Sequence, residues 1–164
     1  MKTAKRWVLV GCLGITALAH ADEIVRYRIP DSDFPIAAAV EVPAGRTTVF
    51  LSGAGPGIAD RSAPPDSVAA YGDTRTQTIS ALSAIRATLQ RLHLDMGNVV
   101  KMQVFLVGDP AQGGKMDFAG FMEGYRQFFG TAQQPNLPAR STMRVAGLVA
   151  PGWLIEIEVT AVRD

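Results

Sequence analysis

The chain has 164 residues, with 16 basic against 15 acidic side chains, two histidines and one cysteine. That length fits one domain with a full core. Near-neutral charge without a basic run argues against a nucleic-acid partner, and a lone cysteine excludes an internal disulfide.

Residues 1–21, MKTAKRWVLVGCLGITALAHA, read as an export signal. Lys2, Lys5 and Arg6 make a positive head, and residues 7–18 make an apolar stretch too short to span a bilayer. Ala19-His20-Ala21 is a small-x-small cleavage site. The expectation is a cleaved signal followed by one domain over residues 22–164, periplasmic or secreted, with no stable membrane partner. Two alternatives stand beside it: a retained apolar anchor, and lipidation at Cys12 in Leu9-Val10-Gly11-Cys12. The second ranks below cleavage because the apolar run before the box is only four residues. Cleavage would remove three basic residues, no acidic ones and the cysteine, leaving a net charge of −2 and no thiol.

The elements follow in order. Residues 24–29 alternate and predict a strand, broken by Pro30 and Asp31-Ser32-Asp33. Residues 36–42 and 47–52 are two short β runs around Pro43-Ala44-Gly45-Arg46, whose turn chemistry predicts a hairpin. GAGPG at 53–57 opens a loop to about residue 72. Ile79, Leu82, Ile85, Leu89 and Leu92 recur at helical spacing and predict a helix over 74–93, capped by Asp73 or Thr74. Residues 98–106 read as a strand with Val100, Met102, Val104 and Leu106 on one face. A loop follows at 108–116. A second helix over about 117–129, capped by Asp117, carries an apolar stripe of Phe118, Phe121, Met122, Tyr125, Phe128 and Phe129, and Gly130 ends it. The last strands lie near 141–147 and 153–162.

This order, β-β-β-α-β-α-β-β, predicts an α+β domain with two helices on one face of a mixed sheet. Val99 and Phe105 oppose the Val100 face, so the uncovered side reads as too apolar for water. That points to a homo-oligomer.

The chemistry open to these residues is narrow. His93, in LQRLHLDMG, has no nucleophile near it and reads as a helix-end residue suited to the dipole. Ligands for zinc are lacking. GAGPG superficially resembles a phosphate loop, but Pro56 removes a donor and no Gly-Lys-Ser/Thr follows; a tight turn lining a cleft is the better reading. There remains Arg140 in LPARSTMRVAGL, with Glu156 and Glu158 in GWLIEIEV. A guanidinium fork matches a carboxylate, and a carboxylate can orient a water. From physics alone, an ordinary ion pair between neighbouring strands is the favoured explanation of the same residues.

Four stretches carry a resemblance. FLSGAGP, GNVVKMQVFL, FMEGYRQFF and PARSTMRVAGL…IEIEVTAV are similar to the motifs of the Rid/YjgF family of reactive-intermediate deaminases, also called the endoribonuclease L-PSP family. The C-terminal signature is the most specific. The resemblance implies a chorismate-mutase-like (YjgF-like) fold: a six-stranded mixed sheet with two helices on one face, assembled as a trimeric barrel with clefts between subunits. It implies hydrolysis of small 2-imino or enamine acids to 2-keto acids and ammonia, without cofactor or metal.

By the same resemblance, Arg140 would hold the substrate carboxylate and Glu156 would position the water. Gly53 would lend backbone beside the imine, and Thr142 stands where many members have cysteine, a position used through backbone contacts. Two positions depart from the pattern: Ile36 follows Pro35 where many members have tyrosine, and Met122 replaces an asparagine. The VAPG loop is one residue longer. These changes make the substrate-binding positions more apolar. They favour, as the alternative, a non-catalytic periplasmic protein that binds small carboxylates.

Overall fold

The computed structural model describes residues 23–163; the export-signal reading of residues 1–21, Cys12 included, lies outside them. The strands are β1 (Val25–Arg28), β2 (Ala37–Glu41), β3 (Thr47–Ala54), β4 (Val99–Leu106), β5 (Ala139–Arg144) and β6 (Ile155–Arg163). The helices are α1 (Val68–Tyr71), α2 (Thr74–Arg91) and α3 (Phe118–Tyr125). Among the described residues the strands form one six-stranded sheet in the order β1-β2-β5-β4-β6-β3. β5 lies parallel to both β4 and β2, while the other pairings are antiparallel, so the sheet is mixed.

α2 and α3 pack side by side on one face of the sheet. Asp73 starts α2 by accepting the Thr76 N–H at 2.7 Å; Asp117 starts α3 by accepting that of Gly120 at 2.9 Å. Both satisfy an otherwise orphaned first-turn donor. From α2 come Leu82, Ile85 and Leu89, and from α3 Phe121 and Tyr125. They bury against Met102, Val104, Leu106, Ile155, Ile157 and Val159 of the sheet. Each large apolar side chain so buried contributes about 2 kcal/mol.

Several details differ from the sequence reading. β2 and β3 form no hairpin. The chain does turn at Ala44-Gly45, but β2 pairs with β1, and β3 takes the long final strand β6, on the far side of the sheet. Turn chemistry reverses a chain; the partners available for burial choose the pairing. α3 ends at Tyr125, and Phe128 and Phe129 stay buried through tight turns onto the Tyr125 carbonyl. A short helix, α1, interrupts the expected loop. His93 is not in a helical last turn: it is exposed, past the end of α2, at φ +57°.

The uncovered face is less apolar than expected. A register shift between Val99 and Lys101 turns Val99 into the core beside Val100. The open face instead mixes Lys101, Gln103, Glu156, Glu158 and Thr160 with Phe105, Met143 and a 79% exposed Phe50. Among the described residues no helix is long and apolar enough to cross a membrane.

Candidate active site

The expected site residues fall into two groups on opposite faces of the sheet. β5 and β6 are not neighbours, because β4 lies between them. Arg140 sits opposite Met102, in the row facing the helices, whereas Glu156 sits opposite Phe105, in the row facing away. Within one chain, then, the structure does not bring Arg140 and Glu156 together, and the simple ion pair between neighbouring strands is ruled out.

On the helix side, the Arg140 guanidinium lies among aromatic rings. Its carbon is 4.4 Å from the Tyr125 ring centre, 4.8 Å from Phe121, 5.5 Å from Phe34 and 6.0 Å from Phe118. A guanidinium over ring faces is held by the ring quadrupoles, which costs it little hydration compared with an ammonium. Tyr125 is itself fixed, its hydroxyl donating to the Pro35 carbonyl at 2.8 Å. Burial raises its phenol above the ordinary range, so it stays neutral.

Burial pulls the Arg140 guanidinium below the usual arginine range, with Tyr125 acting against the shift. The group remains a cation at neutral pH. Its Nη2 donates to the Met122 thioether at 3.4 Å, a weak acceptor. Its Nη1 is buried and finds no partner among the described residues. Met122 thus sits directly on the arginine, and Ile36 packs partly buried at the margin of the same core beside Phe34. Thr142 lies two residues along β5, opposite Val104 and so on the helix side, and its buried Oγ1 also lacks a partner.

On the open face, Glu156 lies over Gly53. A side chain added at Gly53 would collide with the Glu156 carboxylate. It is the room left by the missing side chain, not a left-handed backbone, that matters there, since no left-handed φ is found at Gly53. Two residues on, Trp153 fills the space above Gly55 in the same way, and meets Tyr71 edge-on at 6.4 Å. GAGPG is not the expected tight turn: Gly53 and Ala54 end β3 and residues 55–57 run on as irregular chain, with the missing side chains at Gly53 and Gly55 leaving room for a carboxylate and an indole. Gln77 of α2 secures this corner from below. Its amide donates to the Gly72 and Gly152 carbonyls and accepts the Leu154 N–H at 2.8 Å.

Sequence reading missed Phe34, Gln77 and Trp153. Gln77 left a signal: a polar residue one helical turn before Ala81 on the buried stripe. Phe34 left only its place beside Pro35. Among the described residues no three His, Cys, Asp or Glu side chains gather as metal ligands would.

Residues 35–163 match the family described as Endoribonuclease L-PSP. Among solved structures, TdcF of E. coli with bound serine is 30% identical, aligns over 86% of this chain and 98% of its own, and superposes with a TM-score of 0.56. YyfB of Yersinia pestis, a conserved Rid family protein of unknown function, is 23% identical over 84% of this chain and 98% of its own, with a TM-score of 0.60. An uncharacterized protein from Pseudomonas aeruginosa is 25% identical over 87% of this chain and all of its own, with a TM-score of 0.54. The sheet order, the helix-covered face and the C-terminal signature carrying Arg140 and Glu156 agree with this assignment: the chain belongs to the endoribonuclease L-PSP family, the YjgF/Rid proteins.

Proposed function

We propose that the protein hydrolyses small 2-imino or enamine acids to 2-keto acids and ammonia, in clefts between the subunits of a homotrimer. The observation that carries this reading is the Arg140 guanidinium. It is a half-buried cation with no carboxylate beside it among the described residues, held by aromatic rings and a thioether, with a buried Nη1 that has no partner there. Leaving such a donor unsatisfied costs about 1–3 kcal/mol. A substrate carboxylate would repair that loss and be fixed in place.

Glu156 then has to come from a second copy, because within one chain it faces the other way. An assembly that sets the open face of one subunit against the rim of the next would place Glu156 and Gly53 at the end of β3 across from Arg140. Glu156 would orient a water toward the imine carbon. As the C–O bond forms, the C=N pair moves to nitrogen. Proton transfer and breakage of the C–N bond then release ammonia and leave the 2-keto acid. Proximity carries this chemistry, since a C=N carbon is already electrophilic. The serine bound in TdcF also bears an α-carboxylate, which is consistent with a small ligand of that kind here. An export signal would place the activity in the periplasm or outside the cell.

The test is ammonia release by the purified protein from imino acids generated in situ by an amino-acid oxidase, with Arg140→Ala in parallel. Acceleration that disappears in the variant supports the reading; equal rates in the two proteins overturn it. Met122 and Ile36 support the second reading, a carboxylate binder without turnover. Its mark would be Arg140-dependent binding of a 2-keto acid with no ammonia released.

A further inference from the structure

The sequence carries six methionines, five of them among the described residues: Met96, Met102, Met116, Met122 and Met143. Met96 and Met102 are core side chains, and Met143, 37% exposed, stands on the open face. Met122 is placed unlike these. Its sulfur lies 3.4 Å from Nη2 of the Arg140 guanidinium, and Nη1 of that same group is buried without a partner among the described residues. The rings of Phe34, Phe118, Phe121 and Tyr125 surround the cation, and the Tyr125 hydroxyl is directed to the Pro35 carbonyl. A thioether is a weak acceptor, so a charged donor is matched here to one of the poorest acceptors a protein offers. Chemistry at the sulfur itself would reverse that mismatch.

We propose that Met122 is an oxidation site that closes the carboxylate subsite: a peroxide converts its thioether to the sulfoxide, and the new oxygen takes the Arg140 guanidinium. That the subsite closes rests on the reading of Arg140 given above; the modification and its contact do not. The sulfur lone pair attacks one oxygen of hydrogen peroxide. The S–O bond forms as the O–O bond breaks, and the proton on the transferred oxygen passes to the departing hydroxide, giving water. Sulfur gives up two electrons and the peroxide accepts them. A guanidinium N–H beside the sulfur stabilises the negative charge that develops on the leaving oxygen. Met122 is 7% exposed, but Arg140 is only half-buried, so a molecule as small as hydrogen peroxide has the approach that a small carboxylate would use. The product is polar where the thioether was apolar, and such a group is costly to bury unless it is hydrogen-bonded. Rotation about the unbranched Met122 side chain brings the oxygen to the guanidinium, where the hydrogen bond is charge-assisted. Tethered there, it competes with any free carboxylate at a high effective concentration.

The experiment treats the purified protein with hydrogen peroxide, locates each added oxygen by peptide mass mapping, and measures propanoate affinity by calorimetry before and after. Wild type, Met122→Leu, Met143→Leu and Arg140→Ala are taken together. Wild type carrying oxygen on Met122 should bind propanoate about tenfold more weakly, the value of one charge-assisted hydrogen bond withheld. Met143→Leu should lose affinity as wild type does, and in Met122→Leu peroxide should leave the affinity where it started. An oxidised Met122 with unchanged affinity overturns the proposal. So does a Met122 that takes up no oxygen while Met143 is fully converted, and so does an equal loss in Met122→Leu. Urea midpoints separate the contact from the carboxylate reading. Propanoate that binds untreated wild type and Arg140→Ala alike sinks that reading, and the contact is then decided by unfolding. With the arginine present, oxidation of Met122 should leave the midpoint nearly in place; in Arg140→Ala the same oxygen lacks its donor and should lower it. Equal shifts in the two proteins overturn the contact as well.

Discussion

The two halves of the candidate site are built in opposite ways. The Arg140 half is finished inside one chain: four rings, a thioether and the helix-covered core hold the cation. The Glu156 half lies on the open face, over a glycine that makes room for it, and is half-exposed. A cation with a delocalised charge tolerates an aromatic enclosure. A carboxylate does not, and in the single chain it stays near water. On the proposed reading, one protomer would preorganise carboxylate binding but would need a neighbour for water activation.

The comparison can be broken most decisively by mixing. Arg140→Ala should lower kcat/KM by about 100-fold or more, the value of a charge-assisted contact made to substrate, and Glu156→Gln should lower kcat with a smaller change in KM. If the halves come from different copies, co-refolding the two inactive variants should restore about a quarter of the sites, as random assembly of a cyclic oligomer requires. No recovery of activity would mean that a single chain supplies both groups.

Next in size is Gln77→Leu. It strips partners from the Gly72 and Gly152 carbonyls and the Leu154 N–H, and should destabilise the fold by about 3 kcal/mol. A lower urea midpoint at unchanged slope is the expected measurement. Because Gln77 underpins the Glu156 side only, propanoate affinity at Arg140 should survive under native conditions.

Gly53→Ala should act more gently. The added methyl meets the far end of the Glu156 side chain, which can move. A loss of about tenfold in kcat, one factor of RT ln 10, with unchanged carboxylate binding would mark Glu156 as displaced rather than the fold as damaged. The smallest effect belongs to Asp73→Ala, at about 1 kcal/mol of stability through the lost cap. The Thr76 hydrogen bonds hold the Asp73 carboxyl below its usual range. Its contribution is therefore present above the ordinary aspartate pKa and fades only as pH falls through the lowered folded value. Acid titration of wild type against the variant reads that window.

How much of this was legible beforehand divides along the same line. Periodicity gave α2 its start at Asp73 and β4 its buried row, since both depend on residues near each other in the chain. The C-terminal signature pointed to Arg140 and Glu156. What the sequence withheld was non-local. Nothing in LPARSTMR and GWLIEIEV says that β4 inserts between them, and that insertion puts the arginine and the carboxylate on opposite faces. The supposed β2–β3 hairpin failed for the same reason, as pairing depends on strands far away in sequence. The aromatic enclosure was hidden because Phe118, Phe121 and Tyr125 read as an ordinary core stripe, and only folding brings Phe34 and a cation to them.

One further feature bears on how the molecule comes apart. β2 touches β5 at a single register pair, Ala37 with Ala139, so the β1–β2 ribbon is thinly joined to the sheet. Arg26, on the outermost strand, reaches across this seam and donates to the carbonyls of Gly97, Val99 and Leu137 at 2.8–2.9 Å. Those carbonyls lie at the start of β4 and just ahead of β5. A terminal ribbon with so slight a junction would ordinarily fray on its own. Riveted by Arg26, its amide protons should exchange with solvent in step with those of the central strands, so that the edge and the middle of the sheet melt as one cooperative unit.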